Sequence, residues 1–385
     1  MNTARRLWLG IHLWLGLTLG GLLVVLGLTG SALVFYVEID RWLNPHIAVQ
    51  ADSPAQPDID RVLHALRMSQ PQRDGPWRIE LPRSKGVPVT ARYYAPIERA
   101  DRAFAPLMVT VAPLSFEVTS ARFWGDTAMT WVYDLHYTLL LDRPGKIAVG
   151  IAGLLSLLSI GSGLWLWWPR RDRFMRALKP VLRQGSARLT YDLHVLSGTW
   201  GAILLVVMAM TGAALALPDQ TRSLIRFASP LFRAPDLHGI APAGDAGIGA
   251  ARAIDIARRH FPGTELRWVE SPALYGGAWR IVLHQAGEPS RRFPRTQVWV
   301  HPATGEVLAE RNTENDGGGD VLLNWLHPLH NGEAFGMTGR LLAFIAGLLP
   351  AVLFATGWLR WRRKKKAQAV AARLRTAHPV TPGRA

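Results

Sequence analysis

The sequence predicts a membrane α-helical bundle: four transmembrane helices arranged as a tandem parallel repeat, with two small α+β modules outside the membrane. Three observations carry that expectation. Four long stretches lack any formal charge, the excess of basic residues sits beside those stretches, and the two halves of the chain repeat one another.

The charge-free stretches are Leu7–Val37, Ile147–Pro169, Leu193–Pro218 and Leu341–Leu359. Each approaches or exceeds the ~20 residues that a helix needs to cross a bilayer. Tryptophans gather at their ends, as interfacial belts do: Trp8, Trp14, Trp165, Trp167, Trp168, Trp358 and Trp361 at one side, Trp42, Trp131 and Trp325 at the other. The first stretch is too long for a signal-peptide core and has no small-residue exit site, so it reads as a retained anchor.

A net charge of +16 on 385 residues suggests nucleic acid, but its distribution excludes that class. Segments 1–6, 169–190 and 360–385 hold 18 of the 44 Lys/Arg and a single acid, Asp172. The rest of the chain is close to neutral. Short basic segments beside apolar spans stay in the cytoplasm. Both termini are therefore expected inside a bacterial inner membrane. The expected organisation is helix one at 1–37, an outer module at 38–130, a pre-helix and helix two at 131–169, and an inner loop at 170–190. Helix three follows at 191–218, a second outer module at 219–325, a pre-helix and helix four at 326–361, and a basic, disordered tail at 362–385. The partner implied by this pattern is the lipid membrane.

The repeat has two offsets. At 182, His12 falls on His194, Gly16 on Gly198, and Thr29-Gly30 on Thr211-Gly212. At 194, Trp131 falls on Trp325, His136 on His330, Gly145 on Gly339, Lys146 on Arg340 and Gly163 on Gly357. The unit is helix, outer module, helix, used twice, and because each unit starts and ends inside, the copies are parallel. In the modules, Ile59–Met68 and Ala250–Phe261 have helical periodicity. Trp77–Leu81, Val87–Tyr94, Leu107–Ala112, Glu117–Phe123, Gly263–Val269, Ala278–His284 and Gln297–Val300 read as strands, and His301–Glu306 as a hairpin turn. The glycines at 244, 247 and 249 form a loop rather than a dinucleotide fingerprint, since no β-α-β unit surrounds them.

The chemistry-bearing residues are histidines. With no cysteine, iron–sulfur clusters and thiolate sites are excluded. Four of the twelve histidines are matched by the repeat and lie at span ends: His12 with His194 at the inner level, His136 with His330 at the outer. A histidine at a membrane interface is ordinarily a polar anchor, but ionisable residues in spans are costly and tend to be functional. Four at two levels suit axial ligation of haem iron, and two imidazoles per iron favour electron transfer. From His12 to the outer end of its span is ~38 Å at 1.5 Å per residue, so one haem cannot meet all four. His327 competes with His330; the repeat overlays it on Tyr133, so His330 is the expected ligand and His327 a residue lining the outer site. Arg143 and Arg340 are candidates for pairing with haem propionates or for anchoring helix ends. Glycines 16, 20, 21, 153, 198, 201 and 347 fit a flat macrocycle or close helix packing. His46, His64, His238, His260, His284, His301 and His378 read as structural.

The helix–module–helix repeat, the Tyr191-Asp-Leu-His194 and Tyr133-Asp-Leu-His136 boxes and the Pro302-Ala-Thr-Gly-Glu306-Val turn resemble the PepSY-associated transmembrane proteins. In that turn His301 stands where an aspartate is common. Nearly the whole chain is covered, and the modules would be PepSY-like. Within the family the sequence is most similar to FoxB-type ferric-siderophore reductases of the inner membrane. That resemblance implies an enzyme with two non-covalent haem b groups, each bis-histidine, held by His12/His194 and His136/His330. It implies a hydroxamate ferric siderophore such as ferrioxamine as periplasmic electron acceptor, reduced to release Fe(II), with quinol or a cytoplasmic reductase as donor. Reduction would free iron because hard hydroxamate oxygens favour Fe(III). Two other readings are a membrane-tethered PepSY regulator of periplasmic proteases, which leaves the matched histidines unexplained, and a siderophore permease.

Overall fold

The computed structural model describes residues 3–169, 174–179, 185–237, 239–242 and 247–377, without the side chains of His46, Arg176 and residues 375–377. The helix pair α1 (Thr3–Thr18) and α2 (Gly20–Val34) is followed by short α3 (Tyr36–Leu43). The first module contains α4 (Ile59–Ser69), β1 (Trp77–Glu80), β2 (Val89–Tyr93), β3 (Leu107–Val111) and β4 (Val118–Phe123). Then come α5 (Ala128–Thr138), α6 (Asp142–Trp167) and the single turn α7 (Phe174–Ala177). The second copy runs through α8 (Gly185–Trp200), α9 (Ala202–Ala216), α10 (Pro218–Arg226), α11 (Ala250–His260), β5 (Glu265–Glu270), β6 (Trp279–His284), β7 (Thr296–Val300) and β8 (Val307–Arg311). It ends with α12 (Gly318–His330) and α13 (Gly336–Ala377).

The expected four-helix bundle with two separate small modules is corrected in two respects. Two helices, Asp142–Trp167 and the stretch Glu333–Leu374, are long and apolar enough to cross a membrane; four spans result only if each bent pair is one span. The pairs are α1 with α2, bent by 55°, and α8 with α9, bent by 59°. The breaks lie at Leu19, next to Gly20, and at Gly201, and a Cβ on either glycine would collide with Phe354 or Leu349 of α13. Glycine pays the highest entropic cost in a helix and tolerates such an approach, so the breaks occur there.

The second correction concerns the modules. Their strands form one antiparallel eight-stranded sheet, in the order β4-β3-β2-β1-β5-β6-β7-β8. The seam is β1 against β5, with Ile79 opposite Val269 and Glu80 opposite Trp268. Four strands alone would leave β1 and β5 as edges with unpaired amides; pairing them removes both edges. The two strands stand in different halves of the chain, so no local pattern reports their pairing. One face of this sheet carries the core, with Val62 and Leu66 of α4, Ala253 and Ala257 of α11, and Ile79, Val109, Val269, Ile281 and Val298 all fully buried.

Two joints fix the module geometry. Asp60 of α4 accepts the Ala250 and Ala251 amides at 2.6 and 3.0 Å, capping the start of α11. His301 accepts the Ala303 and Thr304 amides through Nδ1 at 3.2 and 3.3 Å, so it performs the turn-closing role that an aspartate carboxylate would. β8 and the short helices α3, α10 and the start of α12 go beyond the sequence-based expectation. The basic tail is helical as far as Ala377, in contrast to the expected disorder. Much of the inner loop 170–190, the glycine loop at 244–249 up to residue 246, and residues 378–385 lie outside the described residues.

The chain divides into two compact units. One holds Met1–Ser31, Gly150–Ala213 and Leu341–Ala385; the other holds Ala32–Val149 and Ala214–Arg340, including the whole sheet.

Candidate functional site

In the first unit, α1 presents His12 and α8 presents His194, with ring centres 6.2 Å apart and ring planes at 79°. Each ring is tied to a neighbouring helix through Nδ1. His12 Nδ1 lies 3.0 Å from the Ser159 carbonyl and 3.2 Å from Ser162 Oγ on α6. His194 Nδ1 lies 3.2 Å from the Leu353 carbonyl and 3.0 Å from Thr356 Oγ1 on α13. The two hydroxyls donate to main-chain carbonyls of their own helices, Ser162 to Ser159 and Thr356 to Val352. They are therefore left as acceptors toward the imidazoles. A carbonyl and an occupied hydroxyl both demand Nδ1–H, which leaves Nε2 deprotonated and available as a donor to a metal.

Glycines shape the space around these rings. A Cβ on Gly163 would lie 2.9 Å from His12 Cε1, and one on Gly357 would lie 3.3 Å from His194 Cε1. One turn beyond each histidine, Gly16 has open space beside it and Gly198 meets only Leu353 at 3.6 Å. Gly21 also faces open space, whereas Gly20, Gly153, Gly201 and Gly347 lie against neighbouring helices. The glycines thus divide between close packing and a clear flank beside the histidines.

In the second unit, His136 of α5 and His330, the last residue of α12, also have ring centres 6.2 Å apart, with planes at 43°. α5 begins with a Thr127–Thr130 capping box and ends at Leu139 in the left-handed region. Leu140 and Asp142 continue that positive-φ turn into α6. The turn is held by the Asp134 carbonyl, which accepts the Leu140 amide at 3.3 Å, and by Arg102 on Asp142 at 3.0 Å, while the Asp134 carboxylate accepts Trp124 Nε1 at 2.8 Å. Burial raises the Asp134 pKa above its ordinary value against that hydrogen bond. The matched Gly145 and Gly339 have a clear function here. A Cβ on either would strike main chain just after the histidine, Thr138 in one copy and Gly332 in the other. Each glycine lets a long helix start directly beneath its histidine-bearing helix.

The other anticipated residues are dispersed. His327 is turned toward Phe293, edge-on at 4.8 Å, and its Nδ1 lies 3.3 Å from Asn331 Nδ2. Burial, then the charges of Arg292 and Arg295, push its pKa down to about 3, so it is neutral at physiological pH. Arg340 is an anchor within the protein: it donates to the Val34 carbonyl at 2.8 Å and to Glu38 at 2.6 Å. Arg143 is exposed. His260 pairs with Glu310 at 2.9 Å and His284 meets the Glu288 carbonyl at 3.3 Å, both structural roles. His238 and His378 lie outside the described residues. The hydroxyls Ser162 and Thr356 were not singled out by the sequence, although the 194-residue offset that matches Gly163 with Gly357 also matches them.

The model for the PepSY-associated transmembrane region matches residues 9–364. The chain belongs to the PepSY-associated transmembrane family. The match runs through both units and takes in all four paired histidines. An uncharacterized protein of Pseudomonas aeruginosa is 28% identical over 280 residues, an alignment covering 66% of this chain and 68% of that relative. Membership in the PepSY-associated family identifies a membrane protein, and the apolar helices α6 and α13 agree with it.

The donor set narrows what each pair can hold. A first-row metal lies about 2 Å from an imidazole nitrogen, itself about 1 Å from its ring centre, so rings binding one ion from opposite sides have centres about 6 Å apart. Both pairs meet that spacing. Among the described residues, no group of three or more His, Cys, Asp or Glu side chains converges. Two imidazoles per site fit an iron macrocycle, which would bring further nitrogen ligands of its own.

Proposed function

We propose that this protein is an inner-membrane reductase with two haem b groups that delivers electrons to ferric siderophores on the periplasmic side, in the manner of FoxB-type members of its family. The observation that carries the reading is the duplicated geometry: two facing histidine pairs, each with ring centres 6.2 Å apart, produced independently by the two repeat offsets. His12 and His194 would hold one haem and His136 and His330 the other. Bound haem supplies a reversible one-electron couple at each site.

The chain's own residues then set orientation and electronics. Ser159, Ser162, Leu353 and Thr356 fix the His12 and His194 tautomers and increase the basicity of Nε2, which favours the ferric state. Gly16 and Gly198 keep the adjacent turn free of side chains. Two imidazoles at each site would suit a bound haem to electron transfer rather than to small-molecule activation. Arg340 anchors Glu38 and the Val34 carbonyl, so it is unsuited to a propionate role.

The test is an absorption spectrum of the purified protein with a haem assay per chain. The expected result is a Soret band and a ratio near two; a colourless, fully folded protein would sink the reading. A reduced sample should then be reoxidised by a ferric siderophore.

A further inference from the structure

The sheet face opposite the apolar core is rich in arginine, and most of those arginines are neutralised within the protein. Arg78 and Arg92 share Glu80 at 3.1 and 3.0 Å, Arg122 pairs with Asp40 at 3.0 Å, and Arg280 pairs with Glu270. Arg311 is held by Asp316 and Asp320 at 2.8 and 3.2 Å. Arg292 differs. Among the described residues its guanidinium has no carboxylate within ion-pair distance, and it lies over two rings, Tyr36 at 5.5 Å and Phe293 at 5.4 Å.

The main chain around Arg292 is fixed. Glu333 accepts the Arg292 amide at 2.8 Å and the Ser290 hydroxyl at 3.2 Å, so this nearby carboxylate is used on the loop. Phe293, the next residue, packs edge-on against His327 at 4.8 Å. His327 and Tyr133 are repeat equivalents, each one turn before a paired histidine, and the Arg292 charge acts on both. Tyr36, Tyr133, Arg292, Phe293 and His327 all retain partial solvent exposure. The arrangement is a fixed cation, walled by aromatic rings, beside the residues that precede His136 and His330.

We propose that Arg292 is the anchor for a carboxylate of the electron acceptor, so that the outer site selects anionic ferric chelates over neutral or cationic ones. This rests on the reductase reading for its biological meaning, but not for the binding itself. A guanidinium presents paired donors that match a carboxylate, and the aromatic walls exclude water and strengthen the interaction. The same chemistry is offered by haem propionates, and the experiment separates the two sources.

The full-length protein in lipid nanodiscs, with and without haem b, is titrated calorimetrically with gallium(III)–EDTA, a redox-inert anion, and with neutral gallium(III) tris(acetohydroxamate). The proposal expects the anion to bind more tightly than the neutral chelate. Arg292→Gln should weaken anion binding about ten- to a hundredfold, the range of a charge-assisted hydrogen bond, and leave the neutral chelate's affinity in place. Arg292→Lys should recover part of the loss, and Arg291→Gln, at an exposed neighbour, should leave anion binding at the wild-type level. Equal weakening of both chelates, or no change in Arg292→Gln, overturns the proposal. So does a variant that loses haem while binding the gallium anion normally, because the arginine would then serve the cofactor's own carboxylates. If the protein takes up no haem at all, the reductase reading fails, while anion binding to the haem-free protein still decides the role of Arg292.

Discussion

Two hydroxyls and two glycines decide how His12 and His194 are presented. Gly163→Ala puts a Cβ 2.9 Å from His12 Cε1, on a ring already held by Ser159 and Ser162. The ring must move, and the haem content of this variant is expected to fall from about two toward about one per chain, read by a pyridine haemochromogen assay. A milder change, Ser162→Ala with Thr356→Val, removes one acceptor from each Nδ1–H while keeping the carbonyls. It should raise the midpoint potential of one haem and leave the other alone, because less basic imidazoles favour ferric iron less. His327 gives a pH dependence. Its folded pKa, about 3, lies below the ordinary value of 6.5, so the unfolded chain takes up a proton first as pH falls. Stability is present above about pH 6.5 and is lost as pH falls from there toward 3. His327→Phe should flatten that part of the acid unfolding profile, followed by tryptophan fluorescence. At this scale the sequence is legible where the repeat duplicates a residue, as it does for the four histidines. Arg292 stands outside the matched residues, and the absence of an ion pair on its guanidinium among the described residues is a tertiary fact that no spacing encodes.

Elements follow local pattern where their partners are close in sequence. Ile59–Ser69, Ala250–His260 and seven of the strands lie within a few residues of their expected bounds, because alternation and helical periodicity report a buried face directly. The sheet seam leaves no such mark. β1 is amphipathic in either context, and only folding shows that Ile79 faces Val269 instead of an empty edge. Since Ile79 is fully buried there, Ile79→Ala should destabilise the sheet unit by about 2–5 kcal/mol, measured by chemical denaturation. Asp60→Ala removes the cap that joins α4 to α11 and should cost about 0.5–2 kcal/mol in the same assay. The bends at Gly20 and Gly201 are equally silent in the sequence, because hydropathy averages over a helix break without registering it. Charge-free length alone makes each bent pair look like a single straight span.

For the whole molecule, duplication explains the design. A helix–module–helix unit used twice yields two histidine pairs, each built from one histidine of either copy: His12 with His194, and His136 with His330. The two modules merge into one sheet instead of remaining separate, and the loop before its strand β7 carries the cation that the proposed acceptor would meet. The most direct measurement is haem stoichiometry in the purified, full-length protein and in paired substitutions. The account predicts about two haem b per chain, about one after His12→Ala with His194→Ala, about one after His136→Ala with His330→Ala, and none when all four are replaced. A wild-type ratio near zero, or a ratio unchanged by either pair of substitutions in folded protein, would contradict it.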